Sequence, residues 1–276
     1  MSARGVVILA LIAAGLAALL YYKPGKKSAP EFAISSLTPQ DVKRVEIERT
    51  DKEKVVLELD HGQWKMSEPF AARADSAQVT ALLSLLDAKS SVRYPQSDSA
   101  RFDLERPLAV LTFNKQKMSL GAINPISGEQ YLATEGYVYL VSPRHGSAAQ
   151  TESWASRKLL AENEQPVRYQ FPSFSVSKSG EQWSLDPAAN AALAQEDFGV
   201  WVNRWQLATA LRTEPASTLT AAPFKLSLAG GGEIPMAYAE RDSEFLFIRQ
   251  DEKLQYRFSP TIAKPLAEPP QPFLPK

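Results

Sequence analysis

The sequence predicts an α+β protein: an N-terminal transmembrane helix, then two tandem repeats, each a mainly antiparallel sheet with one packed helix. Three observations predict it. Residues 6–22 form an unbroken apolar run without a charge. Most of the remaining chain consists of short alternating segments bounded by Gly, Asp and Pro turns. The same succession of segments then occurs twice, at an offset of about 119 residues.

The apolar run reads VVILALIAAGLAALLYY, 17 residues, or roughly 26 Å of helix. Arg4 flanks one end, and Lys23, Lys26 and Lys27 flank the other. Tyr21 and Tyr22 occupy the place of an interfacial aromatic belt. A cleaved signal peptide is the rival reading, and Gly15-Leu16-Ala17 offers the small residues a cleavage site needs. That tripeptide lies in mid-run with leucines following, so an uncleaved anchor is expected. The flanking charges weakly favour a cytoplasmic body, but long domains translocate largely regardless of charge. The expected placement is the inner membrane, single-pass, with the body periplasmic. Ala10, Ala14 and Ala18 recur every four residues, a possible helix-packing face. Residues 1–22 are thus an anchor, and 23–41, with Pro24, Gly25 and Pro30, a tether.

The body begins near residue 42. Residues 42–48 and 55–59 alternate as strands, Asp60-His61-Gly62 makes a turn, and 63–66 return. A helix is expected over 76–88, opened by a capping box of Asp75 with Gln78. Strands follow at 108–113, 117–120, 130–134 and 137–141, with Glu135-Gly136 as a tight turn, and a closing helix at 147–160. Superposing Trp64 on Trp183 places Val79, Leu82, Leu83 and Leu86 on Phe198, Trp201, Val202 and Trp205, both quartets with the i, i+3, i+4, i+7 spacing of an amphipathic helix. Arg93 falls on Arg212. Further on the offset shrinks to 116 and 115, as short loop deletions would cause. The second copy has strands at 174–178, 182–185, 224–228, 234–239, 245–249 and 254–258 and a helix over 191–207. The first repeat is 42–165 and the second 166–264. Residues 265–276 hold five prolines in twelve positions and read as an extended Pro-rich tail.

Composition narrows the chemistry. Lys plus Arg is 31 and Asp plus Glu is 31, so no basic excess exists to neutralise nucleic-acid phosphates. Cysteine is absent, which removes disulfides, thiolate nucleophiles and thiolate metal sites. The two histidines, His61 and His145, read as solvated residues of loops and element ends, with nothing nearby resembling a nucleophile elbow. Gly230-Gly231-Gly232 lies between two strands and lacks the Lys-Ser/Thr of a phosphate loop, so it reads as a hairpin turn. Trp64, Trp183, Trp201 and Trp205 suit core positions, Trp154 is placed at the repeat junction, and Arg93 and Arg212 read as surface ion pairs.

Repeat one carries Gln63-Trp64-Lys65-Met66-Ser67-Glu68-Pro69, then Asp75 and the leucine helix, then Phe102-Asp103-Leu104-Glu105-Arg106-Pro107, Leu120-Gly121 and a strand pair ending Val138-Tyr139-Leu140-Val141. This order resembles the domain-of-unknown-function family 4340. There a tryptophan strand, a proline, an acidic helix start and an (F/Y)-G-L-x-x-P turn precede strands ending in VYLV. The resemblance is good over 42–141 and loose in the second half, and it departs at Asp103, where the family often has glycine. Its structural positions are Trp64, Pro69, Asp75, Phe102, Leu104, Pro107, Gly121 and Trp183. It implies a bacterial envelope protein, often membrane-anchored, some relatives of which accompany ABC-transporter components. It implies no catalytic residue, and the residues themselves lead to no expected cofactor or metal. The expected function is therefore non-enzymatic: an anchored accessory or scaffold protein for an envelope complex. The alternative is a binding module for a small molecule, glycan or lipid in a cleft between the repeats, near Asn163.

Overall fold

The computed structural model describes residues 12–15, 30–97, 99–188, 193–241 and 243–272. Residues 12–15 are helical. The rest of the expected anchor lies outside the described residues, with Arg4, Ala10, Ala18, Tyr21, Tyr22, Lys23, Lys26 and Lys27; of the alanine stripe only Ala14 lies within them. Among the described residues no helix is long and apolar enough to cross a membrane.

The body is sheet-rich α+β, and every strand pairing among the described residues is antiparallel. In the first half, β1 (Phe32–Ala33) and β6 (Lys89–Ser90) form a two-stranded ribbon. The other strands are β2 (Arg44–Glu48), β3 (Val55–Asp60), β4 (Gln63–Glu68), β5 (Ala72–Arg73), β7 (Arg93–Pro95), β8 (Ala109–Phe113), β9 (Gln116–Ile123), β10 (Gln130–Thr134) and β11 (Tyr137–Val141). These nine run β5-β4-β3-β2-β8-β9-β10-β11-β7. In the second half the strands are β12 (Pro166–Gln170), β13 (Ser175–Ser179), β14 (Gln182–Asp186), β15 (Arg212–Pro215), β16 (Ala222–Leu228), β17 (Glu233–Arg241), β18 (Glu244–Arg249) and β19 (Leu254–Phe258). Their order is β14-β13-β12-β16-β17-β18-β19-β15.

Alternation explains the strands. In β2, Val45 and Ile47 are buried between half-exposed Arg44 and Glu46; in β8, Ala109, Leu111 and Phe113 are buried. The tight hairpins turn on positive-φ pairs, His61-Gly62 at 47° and 80° and Glu135-Gly136 at 50° and 79°, the geometry of type I′ turns. The three-glycine segment is the expected hairpin turn between β16 and β17, with Leu228 N donating to Gly232 O.

Helix α1 (Ser76–Leu83) is opened by Asp75, whose Oδ1 accepts from Ala77 N at 3.1 Å and Gln78 N at 3.2 Å. The reciprocal half of the expected capping box does not form, because the Asp75 N–H is taken by Trp154 O at 2.8 Å. The helix also stops short of 88. Leu85, Leu86 and Ala88 donate three residues back, and this tighter winding buries the consecutive Leu85 and Leu86 together. Val79, Leu82, Leu83 and Leu86 all pack into the first core.

The expected closing helix at 147–160 is replaced by a short α2 (Arg144–Ala149). Beyond it Trp154 turns into the core, and the chain becomes extended, bridging Ala155 to Ala74 and Lys158 to Thr209. Pairing with both halves of the molecule outweighs the local helical pattern here. In the second half, α3 (Gln195–Leu207) buries Phe198, Trp201 and Trp205, with Val202 partly buried. Trp205 packs among Tyr169, Phe171, Phe224 and Phe247 with ring centroids 5.3–6.2 Å apart. Truncating such a side chain to alanine costs about 3–5 kcal/mol. Trp64 and Trp183, expected in the core, are half-buried at its margins.

The expected extended tail departs from expectation at its start only: residues 265–267 end a helix, and 268–272 form neither helix nor strand. Helix α4 (Pro260–Ala267) contains Pro265 and buries Ala263 and Leu266. Trp201 Nε1 donates to Pro265 O and Glu268 O, each at 3.0 Å. Burial and these two bonds outweigh the donor that Pro265 lacks. Phe273 and Leu274 lie outside the described residues.

Candidate functional site

The two cores meet along the β4–β5 connection, where Phe70 and Ala72 pack against both. Beside that seam lies a charged brace. Arg249 closes β18 and is 1% exposed. Its guanidinium is bidentate to Glu164, Nη1 to Oε2 at 2.6 Å and Nη2 to Oε1 at 2.7 Å. Nη2 also reaches Asp251 Oδ2 at 2.7 Å, and Nη1 donates to Leu159 O at 3.1 Å. From the other sheet Arg73, in β5, donates through Nε to Glu252 at 2.6 Å and through Nη2 to Lys158 O at 2.8 Å and the Tyr256 hydroxyl at 2.9 Å. Tyr256 in turn donates to Glu252 Oε2 at 2.5 Å.

The electrostatics follow from burial and pairing. Burial alone would raise the Glu164 carboxyl, but bonds from Arg249 and the Ala161 N–H more than offset it and hold its pKa below the ordinary value. Burial likewise opposes the charge on Arg249, and Glu164 and Asp251 overcome it, so the guanidinium stays protonated. Burial pushes the Tyr256 phenol up, which keeps it a donor. Every strong partner in the brace is satisfied internally, so its chemistry is fastening: it ties β5 to the β18–β19 turn and to the 158–164 connector.

Two grooves lie near the seam, one along the connector and one along residues 152–155. One, of about 630 Å³, is lined mostly by charged and polar residues and runs past Trp64, Arg73, Asp75, Arg157, Asn163 and Thr209. This is the junction near Asn163, an open groove of mixed lining. The other, of about 410 Å³, has Val55, Met66, Phe70 and Trp154 among its apolar walls and Arg49 and Arg212 among its charged ones. It holds two buried donors with no partner among the described residues, Arg49 Nε and Trp154 Nε1. Arg49 Nη1 is spent on the Thr151 carbonyl. Burial lowers the Arg49 pKa, with only Coulombic opposition from Glu152.

The family-motif residues are structural. Asp75 caps α1. Pro69 follows a cis peptide at the end of β4, beside the second groove. Asp103 has φ 53° and ψ 36°, the left-handed region that glycine adopts freely and aspartate tolerates; the departure from the family pattern preserves the turn. Phe102 and Leu104 are buried in a small satellite cluster. Pro107, half-buried, leads into β8. A Cβ on Gly121 would lie 2.4 Å from Phe102 O, so glycine is required where β9 passes that turn. Trp183 meets Tyr169 at 6.1 Å between centroids, and its backbone N–H and C=O are both bonded by the Gln195 side chain at the start of α3.

Two readings of the polar residues change. His145 is 2% exposed in α2 rather than solvated. Its Nδ1 has no partner among the described residues, and burial, then Arg144, lowers its pKa. Arg93 pairs with no carboxylate among the described residues; its guanidinium lies 4.8 Å from the Phe32 ring centroid and 4.4 Å from that of Tyr137. Arg212 does pair, with Glu214 at 3.3 Å. His61 is solvent-exposed beside Asp60. Among the described residues no group of three or more metal-ligating side chains converges. Sequence reasoning did not single out Arg49, Arg73 or Arg249. The available signal was Arg249 itself, a cation closing the apolar run Phe245-Leu246-Phe247-Ile248.

Comparison with curated proteins and with solved structures gave no match. A family model described as Domain of unknown function (DUF4340) matches residues 64–209, from β4 through α3 and across the seam between the sheets. That match covers more than half of the 276 residues, and the chain belongs to the DUF4340 family.

Proposed function

We propose that this chain is a non-enzymatic envelope protein, tethered to the inner membrane by residues 6–22 with its body in the periplasm, that binds a segment of an envelope protein complex. A complex containing ABC-transporter components is the first partner to test, on the family resemblance. The observation that carries the reading is the 410 Å³ groove that Phe70 lines at the seam: an open, partly apolar recess with walls from both sheets, which internally paired charges lock together. A recess with rigid walls binds without first having to order them. The body is further proposed to be a tandem duplication, 42–165 and 166–264, followed by the Pro-rich segment 265–276. Its support is the strand order: reading β2, β3, β4, β8, β9, β10, β11 and β7 as β12, β13, β14, β16, β17, β18, β19 and β15 converts the first sheet, its edge strand β5 apart, into the second. No nucleic-acid partner is proposed for a chain of zero net charge.

Two experiments test this. A phosphatase fused after Lys276 should be active in cells; a stable but inactive fusion would overturn the periplasmic placement. A photo-crosslinking residue at Ser153, in the groove, should give a discrete protein adduct in intact membranes that the same residue at the exposed Ile126 does not. Equal adducts, or none, would overturn groove binding.

A further inference from the structure

We infer that the groove recognises a single carboxylate, presented by an extended segment of the partner protein and held on the free edge of Arg49. The inference rests on the groove-binding reading and adds the chemistry of the bound segment. Arg49 comes from the end of β2 and is anchored by one corner only, Nη1 on Thr151 O. Neither Nε nor Nη2 has a hydrogen-bond partner among the described residues, and Nε is buried. Those two N–H groups are the parallel pair that matches the two oxygens of a carboxylate. Trp154 Nε1, lining the same groove, is a second buried donor without an acceptor. A buried indole or guanidinium N–H left unpaired is costly, and two donors with no acceptor between them call for an oxygen-bearing ligand.

The walls select its form. Phe70, Met66 and Val55 offer apolar surface for side chains flanking the acid. The opposite wall is β15, the terminal strand of its sheet, paired only with β19. Such an edge accepts an extended chain by strand addition. Asp51, Glu53 and Glu152 also line the groove and repel further negative charge. One acid flanked by neutral or apolar residues therefore fits, and a run of acids does not.

The test is selection of random twelve-residue peptides displayed on phage against the full-length chain in detergent. Groove binders are identified by a shift of the Trp154 crosspeak in spectra of indole-labelled protein. Selected groove binders should carry one recurrent Asp or Glu beside apolar positions. Arg49→Gln should weaken a selected peptide about tenfold or more, Arg49→Lys less, and Trp154→Phe severalfold, with melting curves showing each variant folded. Polyglutamate should not compete. Groove binders without a recurrent acid, or binding unchanged in Arg49→Gln, would overturn the carboxylate inference while leaving groove binding intact. Displacement of the peptide by millimolar acetate, with acetate alone reproducing the Trp154 shift, would assign the site to free small carboxylates instead. Selection of no groove binder at all would overturn both.

Discussion

At the residue scale, the side chains that matter most are those whose surroundings contradict their ordinary chemistry. His145 is the clearest. Its pKa is lowered from 6.5 by burial and by Arg144, so the folded state binds the proton less well than the unfolded one. Its contribution to stability is complete above 6.5 and is lost as pH falls below that value toward the lowered one. Urea denaturation of the wild type should therefore show stability falling across that window, and His145→Gln should flatten the slope. An unchanged slope would remove His145 as its source. Gly121 is the second case. Gly121→Ala should destabilise by about 1–3 kcal/mol through overpacking, because the new methyl meets backbone at Phe102 rather than a side chain that can move. Urea midpoints measure it, and a neutral result would mean that the 102–104 turn yields freely. Glycine at 121 was legible as part of a sequence pattern. The carbonyl it faces was not, since that contact joins two segments by tertiary approach alone.

At the element scale, strands and hairpins were read well and helix ends poorly. A strand such as β8 carries its evidence in its own alternation, Ala109, Leu111 and Phe113 against Val110 and Thr112. The turn at Glu135-Gly136 likewise depends only on local φ. Strands β7 and β12, the edge strand β15 and the two-residue strands β1, β5 and β6 went unread because each is defined by its neighbour rather than by a pattern of its own. Helix α4 is the opposite error. Its prolines argue against a helix, and the helix exists because Ala263 and Leu266 are buried and Trp201 reaches its carbonyls. Trp201→Phe keeps most of the apolar area and removes the two bonds. It should cost about 1–2 kcal/mol and raise amide exchange selectively over α4. Uniform exchange across the body would show that burial alone holds the helix.

At the scale of the whole molecule, the brace decides whether the two sheets behave as one body. Arg249→Met leaves Glu164 and Asp251 without their cation, a loss of about 3–5 kcal/mol. Calorimetry should show one transition in the wild type and a lower, split transition in the variant; a single unsplit transition in both would mean that Phe70 and Ala72 suffice to couple the cores. Because pairing holds the Glu164 carboxyl below its ordinary value of 4.5, its contribution should be intact above that pH and lost as pH falls through the lowered value. The sequence by itself determined the apolar N-terminal run, the strand and hairpin segments, the two helix stripes and the offset between the halves, since all are periodicities of neighbouring residues. Only the tertiary structure decided the brace, the groove whose Arg49 Nε and Trp154 Nε1 have no partner among the described residues, the burial of His145 and the docking of α4. Each of these joins residues from distant segments, some more than a hundred positions apart, and its energy lies in desolvation and pairing that no local pattern encodes.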